Sequence, residues 1–186
     1  ANWSWDFDAV EVMNENSGWG WYDAAIDTEA VDACRHSVMR DWINMINAGR
    51  RVAPMGNSDS HTVQSNVAGI PRTYVRVNDK NPAAIDVAEV ADAVRRGAVM
   101  ATTGPFITVS ANGAGPGDLA QTTDGNIELM INLQSAPWIP VDRIRVLTNG
   151  DELLSFDLKE DGYLPPITIG PLSIVAKEDA WITILA

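Results

Sequence analysis

The sequence predicts an α/β first half followed by an all-β second half that forms a small antiparallel sandwich. Strand-like and helix-like patterns alternate up to Thr102, the α/β rhythm. After Pro105 turn signals recur at short intervals, with alternating segments and no helical period between them. Of the 186 residues 46% are hydrophobic, enough for one ordinary domain or two small ones. The expected division is 1–105 and 106–186, with the change of character falling between Gly104 and Ser110.

Phe7 to Met13 (FDAVEVM) alternates and is β-prone, so it reads as a strand. A Gly/Trp loop follows from Ser17 to Tyr22. Val31, Cys34, Val38, Trp42 and Met45 then recur at three or four residues, the spacing of one helical face. Acids between Asp23 and Glu29 suit the start of that helix, and Gly49 suits its stop. Arg51 to Gly56 and Thr73 to Val77 read as strands. Asp86 to Arg96 reads as a helix with Asp86 as N-cap, Glu89 three residues on as its capping-box partner, and Gly97 after its end. Ala98 to Thr102 is the last strand of this half.

In the second half Ile127, Leu129, Ile131 and Leu133 share one face of a strand. Asn149-Gly150, flanked by Arg143–Thr148 and Glu152–Phe156, is a strong hairpin signal. Asn112-Gly113, Gly115-Pro116-Gly117, Asp124-Gly125 and Asp161-Gly162 mark further turns. Ile167 to Val175 and Trp181 to Leu185 complete the strands. The expected core of this half is Ile127, Leu129, Ile131, Ile144, Val146 and Trp181.

The charge balance, 25 acidic against 13 basic residues, opposes binding to a phosphate backbone, so nucleic acid is not an expected partner. No basic amphipathic stripe or long apolar run suggests a membrane. Cys34 is the only cysteine, which excludes an internal disulfide and leaves the compartment open, exported or cytoplasmic. The chain opens on Ala1 and closes within a strand-like segment, so it reads as a piece of a longer protein.

The segment richest in chemistry is Gly56-Asn57-Ser58-Asp59-Ser60-His61. Asp-x-His at a strand end offers a hard oxygen and an imidazole two residues apart, on one side if the backbone stays extended. The same residues also suit an Asx-turn and a loop histidine. In order around this segment stand Phe7-Asp8-Ala9-Val10-Glu11-Val12, Gly69-Ile70-Pro71-Arg72-Thr73-Tyr74 and Ala101-Thr102-Thr103-Gly104-Pro105-Phe106. The series resembles the PHP-type (polymerase and histidinol phosphatase) metallohydrolases related to carbaryl esterase, over nearly the whole chain. Thr103 stands where that family often has Asn, which weakens a polar role for its loop.

The resemblance implies the C-terminal portion of a distorted (β/α)₇ barrel followed by the sandwich. It also implies a cluster of two or three divalent ions, Zn, Mn or Fe, with Asp59 and His61 as ligands and the other ligands upstream. Its implied activity is metal-assisted hydrolysis of a small-molecule substrate, either a phosphoester or a carboxyl or carbamate ester. Glu11 and Asn14 stand either behind the ligands, orienting them, or as strand-end structural groups. Arg72 either binds an anionic substrate group or pairs with an acid. With its upstream ligands absent the chain alone is expected to be inactive, and to associate with itself or with the upstream half.

Other candidates carry less. His36 lies within the long helix and reads as a surface or packing residue. Ser58 and Ser60 lack the second histidine that a triad needs. Trp19 and Trp21 are the best placed to stack on a sugar, while Trp42, Trp138 and Trp181 read as packing residues. Gly113 to Gly117 lacks the lysine and helix of a phosphate loop. The rival to a hydrolase is a non-catalytic β-sandwich that serves interaction or surface display.

Overall fold

A computed structural model describes residues 4–14, 38–64, 68–158 and 166–186. The chain forms two compact units, Ala1–Thr103 and Gly104–Ala186. The Ser17–Tyr22 loop with Trp19 and Trp21, the expected helix start with Val31, Cys34 and His36, and the Asp161-Gly162 turn lie outside the described residues.

In the first unit β1 (Ala9–Asn14) pairs in parallel with β2 (Ala53–Asn57). Between them in sequence lies α1 (Val38–Asn47), which buries Met39, Trp42, Ile43 and Ile46. That stripe is centred one residue further round than the expected one, for Val38 and Met45 are only half-buried. The Trp42 indole N–H donates to the Val52 carbonyl at 2.8 Å, so the polar edge of the ring is satisfied inside the core. The helix stops at Asn47, and Gly49 two residues on has a φ of +79°, the left-handed conformation that closes a helix end.

The rhythm then changes. β3 (Arg72–Val75) and β4 (Val99–Thr102) are antiparallel, joined through a 3-10 turn at Pro82–Ala84 and α2 (Val87–Arg95). Asp86 caps α2 by accepting from the Ala88 N–H at 2.9 Å, as the sequence implies. Glu89 does not close a capping box. Its carboxylate accepts instead from the Asn78 N–H at 2.8 Å and fastens the preceding loop. Arg95 lies 2.8 Å from Asp92 and 3.4 Å from Asp8, an exposed set that ties α2 to the residue before β1.

The second unit holds two three-stranded antiparallel sheets. One has the order β5 (Phe106–Ala111), β6 (Asn126–Gln134), β9 (Ile167–Val175), and the other β10 (Ile182–Leu185), β7 (Arg143–Thr148), β8 (Asp151–Asp157). Ile127, Leu129, Ile131 and Leu133 of β6 and Ile174 of β9 meet Ile144 and Val146 of β7 in one core. The architecture is a β-sandwich. Asn149 and Gly150 both have positive φ, +53° and +93°, as the tight hairpin between β7 and β8 requires.

Two tryptophans depart from expectation. Trp181 is half-buried and stands outside the core cluster, just before the strand whose Ile182 and Ile184 pack there instead. Trp138 is 80% exposed, not packed. It sits in a turn closed by the Ile139 N–H on the Ala136 carbonyl. Ile139 faces Gly104 there, so closely that a Cβ on that glycine would lie 2.5 Å from its Cδ1.

Candidate functional site

The first unit gathers its polar candidates at the carboxyl ends of β1 and β2. In open α/β sheets this is the end where ligands bind, since the loops leaving the strands are free to vary there. The register Asn14↔Asn57 brings both strand ends level.

Asp59 and His61 follow β2 directly. Asp59 has φ +49°, so the backbone is not extended at this point and the condition under which strand geometry alone puts the two side chains on one side is not met. The chain turns through a left-handed residue, which Asp tolerates better than most. The turn still brings the two side chains together, with His61 Nε2 3.5 Å from Asp59 Oδ1. Both are open to solvent, their side chains 74% and 38% exposed. The Ser60 hydroxyl donates to Ser58 at 3.0 Å.

Glu11 and Asn14 belong to a second group, with Asn57 as its third member. Asn14 Nδ2 donates to Glu11 Oε1, and Asn57 Nδ2 donates to Glu11 Oε2 at 3.1 Å. Residues three apart in a regular strand point to opposite faces. Here the register shifts between Glu11 and Met13, leaving buried Val12 as an extra residue in β1. This bulge resets the alternation and places Glu11 and Asn14 on one side. Sequence reasoning missed Asn57. Its only local signal is an amide at the end of a strand next to the Asp-x-His motif.

Arg72 begins β3. Its Nη1 donates to the Gly69 carbonyl at 3.0 Å and its Nε to the Tyr74 hydroxyl at 3.2 Å, with the guanidinium carbon 5.6 Å from the Tyr74 ring centroid. Its partners are a carbonyl and a phenol; of the two sequence readings, pairing with an acid and binding an anionic substrate group, the first is not what these bonds show. β3 is fastened to β2 through Thr73. The Thr73 hydroxyl accepts from the Gly56 N–H and donates to the Gly56 carbonyl, each at 2.9 Å. The strands approach closely because Gly56 has no side chain, and a Cβ there would lie 3.1 Å from the Arg72 carbonyl oxygen. Arg72 therefore starts at the end of the unit where β2 finishes.

In comparisons with known proteins no family model, no curated protein and no solved structure matches the chain. Among the described residues no group of three or more His, Cys, Asp and Glu side chains is assembled to hold a metal ion. Asp59 and His61 form a two-residue donor pair.

The second unit has a shallow polar depression of about 310 Å³ lined by Asn112, Gln121, Thr122, Thr123, Asp124 and Asn126. Hydrogen bonds from the Asn126 side chain, the Asn126 N–H and the Thr122 hydroxyl lower the pKa of Asp124 from 3.8 to about 2. The Asn112 amide donates to the Gln121 and Asn126 carbonyls and its oxygen accepts from the Glu128 N–H at 2.7 Å. These bonds fasten the loop before β6 to the β5 turn. No helix among the described residues is long and apolar enough to cross a membrane.

Proposed function

We propose that this chain supplies part of a divalent-metal site in a PHP-type hydrolase of phosphoester or of carboxyl or carbamate ester bonds. The observation that carries the reading is the Asp59–His61 pair beyond β2, with 3.5 Å between its donor atoms. A carboxylate oxygen and an imidazole nitrogen, side by side and open to solvent, are a donor set suited to Zn, Mn or Fe. The parallel β1–α1–β2 order and the motif resemblance support the same reading, with the first unit as the closing portion of a barrel and the remaining ligands upstream.

On this reading Asp59 and His61 hold the metal. Divalent ions, when bound, acidify a water molecule and stabilise negative charge on the attacked group. Arg72 contributes binding. Its planar fork, oriented by Gly69 and Tyr74, suits a phosphoryl or carboxyl oxygen of the substrate.

The test is made on the complete protein. Asp59→Ala and His61→Ala each lower the metal content and abolish hydrolysis of a generic phosphodiester or an aryl ester, while the circular dichroism spectrum stays unchanged. Unchanged metal occupancy in both variants overturns the assignment and leaves the interaction-module reading in its place.

A further inference from the structure

We infer that Glu11, gripped by Asn14 and Asn57, is a positioning residue that sets where Asp59 and His61 stand. The inference rests on the metal-site reading above and adds to it Asn57 and a mechanism. Asn14 and Asn57 close the two parallel strands at level register. Their amides donate to different oxygens of one carboxylate, Asn14 to Oε1 and Asn57 to Oε2. The bulge at Val12 turns Glu11 toward this arrangement. Asn57 is the last residue of β2, and Asp59 follows two residues on in a left-handed turn. Without a cross-strand tie, a strand end followed by such a turn is free to fray. The Glu11–Asn57 bond removes that freedom at the residue from which the donor pair departs. The two bonds of Glu11 run to Asn14 and Asn57. Glu11 acts through Asn57 and the backbone, as groups behind metal ligands commonly do.

The test uses the chain as it is, with Mn²⁺ as the probe. Paramagnetic Mn²⁺ broadens the imidazole proton resonances of a nearby histidine even when it binds weakly. The chain has only two histidines, so the His61 signals are assigned by their loss in His61→Ala. The reading is the Mn²⁺ concentration that half-broadens His61. Asn57→Ala and Glu11→Gln are expected to raise it roughly tenfold, the lower end of what loss of a ligand-orienting group costs. The double variant Glu11→Gln with Asn57→Asp reverses donor and acceptor in the cross-strand bond and keeps an oxygen for Asn14 to donate to. It is expected to return the midpoint to within about twofold of the parent. Asn57→Asp alone adds the same carboxylate without the reversed bond and is expected to stay near the other single variants. If it matches the double variant, attraction of the cation by the new charge explains the recovery and the positioning role is overturned.

Single variants that broaden like the parent, while Asp59→Ala abolishes the effect, overturn the positioning role and leave the metal site standing. A double variant no better than the singles overturns it as well. If the parent His61 shows no selective broadening, the metal-site reading fails, and the positioning role fails with it. Should Glu11→Gln unfold the first unit, Asn57→Ala decides, because Asn57 is exposed and its truncation leaves the apolar core untouched.

Discussion

The Thr73 hydroxyl closes both hydrogen bonds of the Gly56 peptide groups, accepting from the N–H and donating to the carbonyl at 2.9 Å each. One side chain thus stands in for a strand ladder between β2 and β3. Gly56 is buried, so both groups would lose their partner if the hydroxyl were removed. Thr73→Val keeps the shape and removes the oxygen. It is expected to destabilise the first unit by about 1–3 kcal/mol, the cost of stranding buried backbone groups. Thr73→Ser is expected to retain most of the stability. Urea unfolding followed by Trp fluorescence reads the difference, and equal midpoints for the valine variant and the parent would contradict it.

What the sequence makes legible here is what is local. The alternation of Ile127, Leu129, Ile131 and Leu133 survives as four buried residues on one strand, because a half-buried strand has a period of two wherever it pairs. The Asp86 cap and the Asn149-Gly150 hairpin are equally local, each set by a few dihedrals and one or two bonds. Glu89 shows the limit. Its capping-box partner was one option, and the Asn78 N–H, brought near by the fold, is the one it takes. Trp138 reads as packing by size alone, yet its turn gives the inward place to Ile139. Asn57 escapes notice for the same kind of reason. Its meeting with Glu11 depends on a bulge at Val12 and a strand register, neither of which leaves a mark in a single sequence.

The second unit is expected to fold by itself. Its core draws on both sheets, with Leu129, Ile131, Ile144 and Val146 all inaccessible to solvent. Residues 104–186 expressed alone are expected to give a dispersed amide spectrum. Ile131→Ala in that piece is expected to cost about 2–5 kcal/mol, a large part of the roughly 5–15 kcal/mol typical of a domain. A collapsed, undispersed spectrum for the parent piece would show that its stability depends on the first unit.

Asp124 should leave a signature in acid. Its pKa falls to about 2, because Asn126, through its side chain and N–H, and the Thr122 hydroxyl all stabilise the carboxylate. A carboxyl whose folded pKa lies below its unfolded value stabilises the fold above the unfolded value. That contribution is lost as pH falls through the folded one. The window therefore runs from about 3.8 down to about 2. Carboxyl titration by NMR is expected to place Asp124 near the lower figure. Asn126→Ala is expected to move it back toward the upper one, since that variant removes the first of the stabilising bonds. An Asp124 that titrates normally in the parent would show that the Thr122–Asn126 bonds do not persist in solution.

Two donors alone hold a divalent ion weakly and activate its water little. Asp59 and His61 present one oxygen and one nitrogen, whereas tetrahedral or octahedral metal sites with strong water activation use three or more protein ligands. A metal held by this pair alone keeps most of its coordination as water, which costs little to exchange and gains little acidity. The chain by itself is therefore expected to bind Mn²⁺ or Zn²⁺ weakly, and to hydrolyse a phosphodiester or an aryl ester no faster with the metal than the metal does alone. If the proposed hydrolase reading holds, a segment carrying further ligands, supplied in trans, is expected to tighten binding and bring activity. Activity of the chain alone near that of the complete protein, abolished by Asp59→Ala, would mean that this end of β2 assembles more of the site than its donor pair shows. The ligands would then have to be sought within these 186 residues.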